Sequence, residues 1–97
     1  MNKLFVCNQG RHRSRTAAEL FSGRYAGIYS EESPVTDELI SWADMVLVME
    51  DAQRSWIGEN FPKQCMAKKI VSLDIPDVYQ YRQEELVQLL KKKIKGS

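Results

Sequence analysis

A chain of 97 residues, 43% hydrophobic and 28% charged, has room for one domain with a modest core and falls outside the disordered class. Its net charge of +1 gives no general attraction for nucleic acid or a membrane surface, and two cysteines, Cys7 and Cys65, do not make a disulfide framework. The apolar run near the N-terminus, residues 4–7, is too short for the core of a signal peptide, so a cytoplasmic protein with reduced thiols is expected.

Along the chain, strand-like and helix-like segments alternate. KLFVC, residues 3–7, reads as a short apolar strand that opens the domain. In residues 14–23 the side chains of Ala17, Ala18, Leu20 and Phe21 fall on one helical stripe, and Gly23 stands where a helix would stop. GIYS, residues 27–30, is a weak second strand. Thr36 is placed to cap a helix with Asp37 and Glu38 in its first turn, and Val35 and Ile40 are spaced as a hydrophobic staple across that cap. MVLVM, residues 45–49, is continuously apolar, as in a strand buried on both faces. Asp51 can cap a third helix that runs through Trp56 and Ile57 to the breaker Asn60-Phe61-Pro62. KIVSLDI, residues 69–75, is the fourth strand. The last helix, about 82–95, has Leu86, Leu90 and Ile94 at i, i+4 and i+8. Its acids (Glu84, Glu85) come early and its lysines (91–93 and 95) late, as the helix dipole favours.

Four strands interleaved with four helices predict a small three-layer α/β domain of flavodoxin-like kind, with a four-stranded parallel sheet covered on both faces. In such sheets ligands bind beyond the carboxyl ends of the strands, near the switch in strand order. Cys7 lies at that edge, and Asp74 and Asp77 lie at or just past the end of the fourth strand.

The segment CNQGRHRS, residues 7–14, fits C-x5-R-[ST]. Running from a strand end into a helix N-terminus, such a loop (Asn8, Gln9, Gly10, Arg11, His12, Arg13, Ser14) can turn its backbone N–H groups on a phosphate-sized oxyanion. Gly10 supplies backbone free to take a positive φ. Arg13 can hold two phosphate oxygens with its planar fork. Cys7, facing these donors, is placed to act as a thiolate nucleophile, and Ser14 can hydrogen-bond its sulfur. Arg11, His12 and Arg15 have the alternative of being solvated charges, and His12 could also tune Cys7 or touch substrate. No metal or cofactor is called for, and no Gly-Lys-[ST] phosphate loop occurs.

On these residues, from LFVCNQGRHRS at the start to DIPDVY before the last helix, the chain resembles the low-molecular-weight protein tyrosine phosphatase family. The resemblance implies a phosphomonoester hydrolase in which Cys7 attacks phosphorus, Arg13 binds the phosphoryl oxygens and an aspartate protonates the leaving oxygen. Matching the family's Asp-Pro-Tyr on Tyr79 makes Asp77 that acid, with Asp74 the second candidate. Tyr79 then either walls the substrate or covers the sheet edge. The implied partner is a phosphorylated protein or small phosphomonoester, not nucleic acid or membrane. Two departures stand out: the family has asparagine at Gly10 and often a second cysteine at His12. The chain is also shorter than usual, with less loop to wall a deep pocket. Three other readings share the anion loop. A thioredoxin-coupled arsenate reductase needs further cysteines, and only Cys65 is at hand. A phosphocysteine phosphotransfer carrier needs neither Arg13 nor Asp77. A non-catalytic anion-binding module needs no acid.

Overall fold

Apolar runs with no polar face have nothing to give to water, and the two such runs of this chain become the central strands. The structure, a computed structural model, describes residues 1–95, and of Lys95 only the backbone, so the Lys95 side chain expected at the end of the last helix lies outside it. Strand β1 (Lys3–Cys7) and strand β3 (Met45–Val48) pair in parallel, with Val6 opposite Val48. Strand β2 (Arg24–Gly27) adds to the other side of β1 and strand β4 (Lys69–Ser72) to the other side of β3, giving the parallel order β2-β1-β3-β4. The chain leaves β1 towards one edge and later crosses to the other, so the switch in strand order lies between β1 and β3.

Alternation along β1 separates the core into two layers. Phe5 and Cys7 point to one layer, shared with Ala17 and Ala18 of helix α1 (Arg13–Phe21) and with Leu86, Leu90 and Ile94 of helix α5 (Glu84–Lys95). Leu4 and Val6 point to the other, with Ile40 of helix α2 (Asp37–Trp42) and Ile57 of helix α3 (Asp51–Asn60). The expected cap on α2 is present, Thr36 Oγ1 accepting the Leu39 N–H at 3.1 Å, and both staple residues are buried. No helix among the described residues is long and apolar enough to cross a membrane.

Several details differ from the sequence reading, among them the end of the third strand (Val48, not residue 49) and the start of the last helix (Glu84, not about residue 82). The second strand is 24–27, not 27–30, because Ile28 and Tyr29 turn their N–H groups on the carbonyls of Cys7 and Asn8 (3.0 and 2.8 Å) and follow the bend of that loop. Helix α1 ends at Phe21 and is capped by Ser22, which itself takes the left-handed conformation (φ 55°), one residue before Gly23. Helix α3 is capped by Glu50 rather than Asp51, since Gln53 Oε1 returns to the Glu50 N–H at 2.6 Å. An unexpected helix, α4 (Pro62–Ala67), follows at once, as proline is suited to a first helical position. Strand β4 stops at Ser72; Leu73 and Ile75 still donate to Val48 and Met49 (2.9 and 2.7 Å), but Asp74 between them is left-handed at φ 54°.

Candidate active site

Cys7 is the last residue of β1, and the chain then has five residues in which to turn into α1 at Arg13. The turn needs two glycines. Gly10 has φ +66°, a region disfavoured for any residue with a Cβ. Gly27, at the end of β2, lies under the loop, where a Cβ would come within 2.4 Å of the Gln9 carbonyl carbon and 2.5 Å of the Gly10 nitrogen. The Gly10 N–H donates to Cys7 Sγ at 3.1 Å, and Ser14 Oγ lies 3.0 Å from the same sulfur. The sulfur thus meets one backbone N–H and one hydroxyl at the start of α1. Among the described residues no acceptor meets the N–H groups of Gln9, Arg11, His12 or Arg13.

Arg13 is the largest fully buried side chain, 1% exposed, and a buried guanidinium needs partners. Its Nη1 donates to Glu50 Oε1 at 2.6 Å and to the Ile75 carbonyl at 2.8 Å. Its Nη2 lies 3.6 Å from Asp77 Oδ1. Glu50 is held in turn by Gln53, fully buried, whose Nε2 also donates to Asn8 Oδ1 at 2.9 Å. The carboxyl ends of β1 and β3 are thus tied by one chain of polar contacts, Asn8–Gln53–Glu50–Arg13.

Cys7, Gln9, Arg11, His12, Arg13 and Asp77 line a cavity of about 130 Å³. That is the scale of a small oxyanion, below the roughly 300–1,000 Å³ of pockets for larger ligands. A neighbouring cavity of about 210 Å³ shares Gln9 and Arg11 and continues to Tyr29, Ser30, Glu31 and Glu32.

Of the two candidate aspartates, Asp77 reaches the cavity, and the exposed Asp74 is absent from its lining. Tyr79 packs against the α1–α5 core layer instead of lining the cavity. Asn8 turns its side chain to Gln53, while Gly10 and Ser14 meet the sulfur. Residues that sequence reasoning passed over are Glu50, Gln53, Gly27 and the Ile75 carbonyl. Glu50 and Gln53 carried a signal, a cap spacing directly after the apolar run of β3. Nothing local linked them to Arg13, 37 residues away.

Beyond the cavity, Glu19 of α1 accepts from the Tyr81 hydroxyl at 2.5 Å and from Arg82 Nε at 2.9 Å. The Tyr81 hydrogen bond and then the Arg82 one hold its carboxyl below the ordinary carboxylate range.

No protein-family model matches the chain, and no curated protein is similar to it in sequence. Solved structures are similar to it. A YwlE mutant from Bacillus subtilis is 23% identical with TM-score 0.77, over 99% of this chain and 97% of that one. The YwlE arginine phosphatase from Geobacillus stearothermophilus is 21% identical with TM-score 0.72, over 98% and 93%. The tyrosine phosphatase Wzb from Escherichia coli K30, in complex with phosphate, is 22% identical with TM-score 0.74, over 98% and 88%. From end to end, the chain has the fold of the low-molecular-weight protein tyrosine phosphatases.

Proposed function

We propose that residues 1–97 form one phosphatase domain that hydrolyses phosphomonoesters through a phosphocysteine intermediate. The observation that carries this reading is that Cys7 lines the small cavity together with Arg13 and Asp77, with the Gly10 N–H and Ser14 Oγ on its sulfur. In the first step the Cys7 thiolate forms the S–P bond as the ester O–P bond breaks. Asp77 gives its proton to the departing oxygen. Arg13 and the loop amides of residues 8–14 hold the charge on the phosphoryl oxygens through the transition state. Water then attacks phosphorus, Asp77 takes its proton, the S–P bond breaks, and phosphate and thiolate are restored. Because Nη1 of Arg13 is already engaged by Glu50 and Ile75, the rest of its fork is what the phosphoryl group receives.

A phosphorylated protein or a small phosphomonoester fits the cavity as substrate, and a reducing cytoplasm suits a free thiol in that role. The similar proteins include an arginine phosphatase and a tyrosine phosphatase, so tyrosine phosphate esters lead a substrate series that includes phosphoarginine. An arsenate reductase cascade is not favoured, because Cys65 packs with the opposite core layer from Cys7. The test is turnover of p-nitrophenyl phosphate with and without a chelator, beside Cys7→Ser. We expect chelator-insensitive turnover that is lost in Cys7→Ser while vanadate still binds. Vanadate binding without turnover in the parent would leave an anion-binding module.

A further inference from the structure

We infer that His12 is a positioning residue for the general acid, its Nδ1 seating residues 77–83, the loop that carries Asp77, on the start of α1. The inference rests on Asp77 being the acid and adds to that reading what holds it in place.

His12 stands at the N-cap position of α1, where a side chain ordinarily accepts an N–H of its own helix; it makes no such bond. Its Nδ1 accepts the Tyr81 N–H instead, at 3.0 Å and 69 residues away along the chain. The neighbouring contacts converge on the same loop. The Arg82 N–H donates to Thr16 Oγ1 at 3.0 Å, and that hydroxyl donates to the His12 carbonyl at 2.7 Å. Glu19 takes the Tyr81 hydroxyl and Arg82 Nε, and the Arg15 guanidinium lies 4.6 Å from the Tyr81 ring centre. Residues 12, 16 and 19 follow the spacing of one helix face, and that face holds Tyr81 and Arg82. Arg82 is held left-handed (φ 56°), a conformation that persists in a non-glycine residue only when its surroundings impose it.

Asp77 has little to hold it otherwise. Its side chain is 54% exposed, and its one polar contact among the described residues is the 3.6 Å approach to Arg13 Nη2, longer than a hydrogen bond. Ahead of it Ile75 is buried and bonded through both N–H and carbonyl, and after it the next backbone anchor on α1 is Tyr81 on His12. The acid therefore sits on a span between two fixed points, and His12 supplies the second. His12 also lines the cavity with Cys7 and Asp77, so the cavity and the acid loop meet at one residue.

The test compares His12→Leu, which removes the acceptor, with His12→Asn, whose Oδ1 keeps one at the same branch of the side chain. Hydrogen exchange of the Tyr81 amide, without substrate, reads the seat directly. We expect exchange about tenfold or more faster in His12→Leu and near the parent rate in His12→Asn. Turnover against aryl phosphates of rising leaving-group pKa reads the acid. In His12→Leu the loss should grow to about tenfold or more at the poorest leaving group, with His12→Asn restoring most of it. Unchanged Tyr81 exchange in His12→Leu overturns the seat. Faster exchange with an equal loss across the whole series overturns the link to the acid. If the parent turns over no aryl phosphate the phosphatase reading fails separately, and the claim on the acid fails with it, while exchange still decides the seat.

Discussion

A methyl group on residue 27 would meet three backbone atoms, the Gln9 carbonyl carbon, the Gly10 nitrogen and the Asn8 carbonyl oxygen, and none of them can rotate away. Gly27→Ala should therefore push residues 8–10 off β2 and away from Cys7, at a cost of roughly 1–3 kcal/mol. Activity should suffer more than stability, because the N–H donors lose their aim; kcat/KM beside a thermal melt checks both. At Arg13 the charge is needed, but so is its shape. A lysine there keeps one positive charge and loses the fork that reaches Glu50, the Ile75 carbonyl and the cavity together. We expect Arg13→Lys to lower kcat/KM by about a hundredfold or more, on the order of 3 kcal/mol. Arg11 has no ion pair among the described residues and lines both cavities. Its replacement by alanine should cost far less, with a loss that shrinks as salt rises. An Arg11→Ala defect as large as that of Arg13→Lys would move the phosphate clamp to Arg11.

The elements meet at the carboxyl edge of the sheet, where the loops after β1, β3 and β4 each contribute. Between Asp74 and Asp77 the backbone divides the roles. Asp74 stands left-handed and exposed between Leu73 and Ile75, both bonded to the β3 edge, while Asp77 is past Pro76 on the span that reaches the cavity. A general acid matters most when the leaving oxygen is basic. Asp77→Asn should cut turnover of poor leaving groups far more than of good ones, and Asp74→Asn should lower all of them evenly, if at all. Both variants on a series of aryl phosphates decide it, and a steeper dependence in Asp74→Asn would reverse the assignment. What was legible in the sequence follows the range of the interactions. The C-x5-R loop, the apolar strands β1 and β3, the Thr36 cap and the Leu86–Leu90–Ile94 stripe are short-range patterns, and each takes its expected place. The position of β2 was not legible, because the residues 28 and 29 that look strand-like are drawn round the loop after β1. Nor was the service of Glu50 to Arg13, or of His12 to Tyr81, since both join segments far apart in sequence.

On the scale of the whole molecule the site rests on one of the two core layers. Cys7, Ala17 and Ala18 share that layer with Leu86 and Leu90 of α5, yet none of the described α5 side chains lines the cavity. Packing in α5 should therefore govern how much protein is folded without changing what the folded protein does. Leu90 is fully buried, and Leu90→Ala should cost about 2–5 kcal/mol, a large part of the roughly 5–15 kcal/mol that holds a domain of this kind together. Well below its melting temperature the variant should keep the parent kcat/KM. Phosphate, binding only the folded form, should stabilise parent and variant alike, by about 2.7 kcal/mol at a hundred times its dissociation constant. Arg13→Lys should instead lose most of the stabilisation by phosphate. The measurement is a thermal melt of all three proteins over a range of phosphate concentrations, with kcat/KM taken at low temperature. Equal phosphate shifts in the parent and Leu90→Ala would separate the site from the packing of α5; a weakened shift in Leu90→Ala would mean that the α5 side of the core sets the geometry of the Cys7 loop.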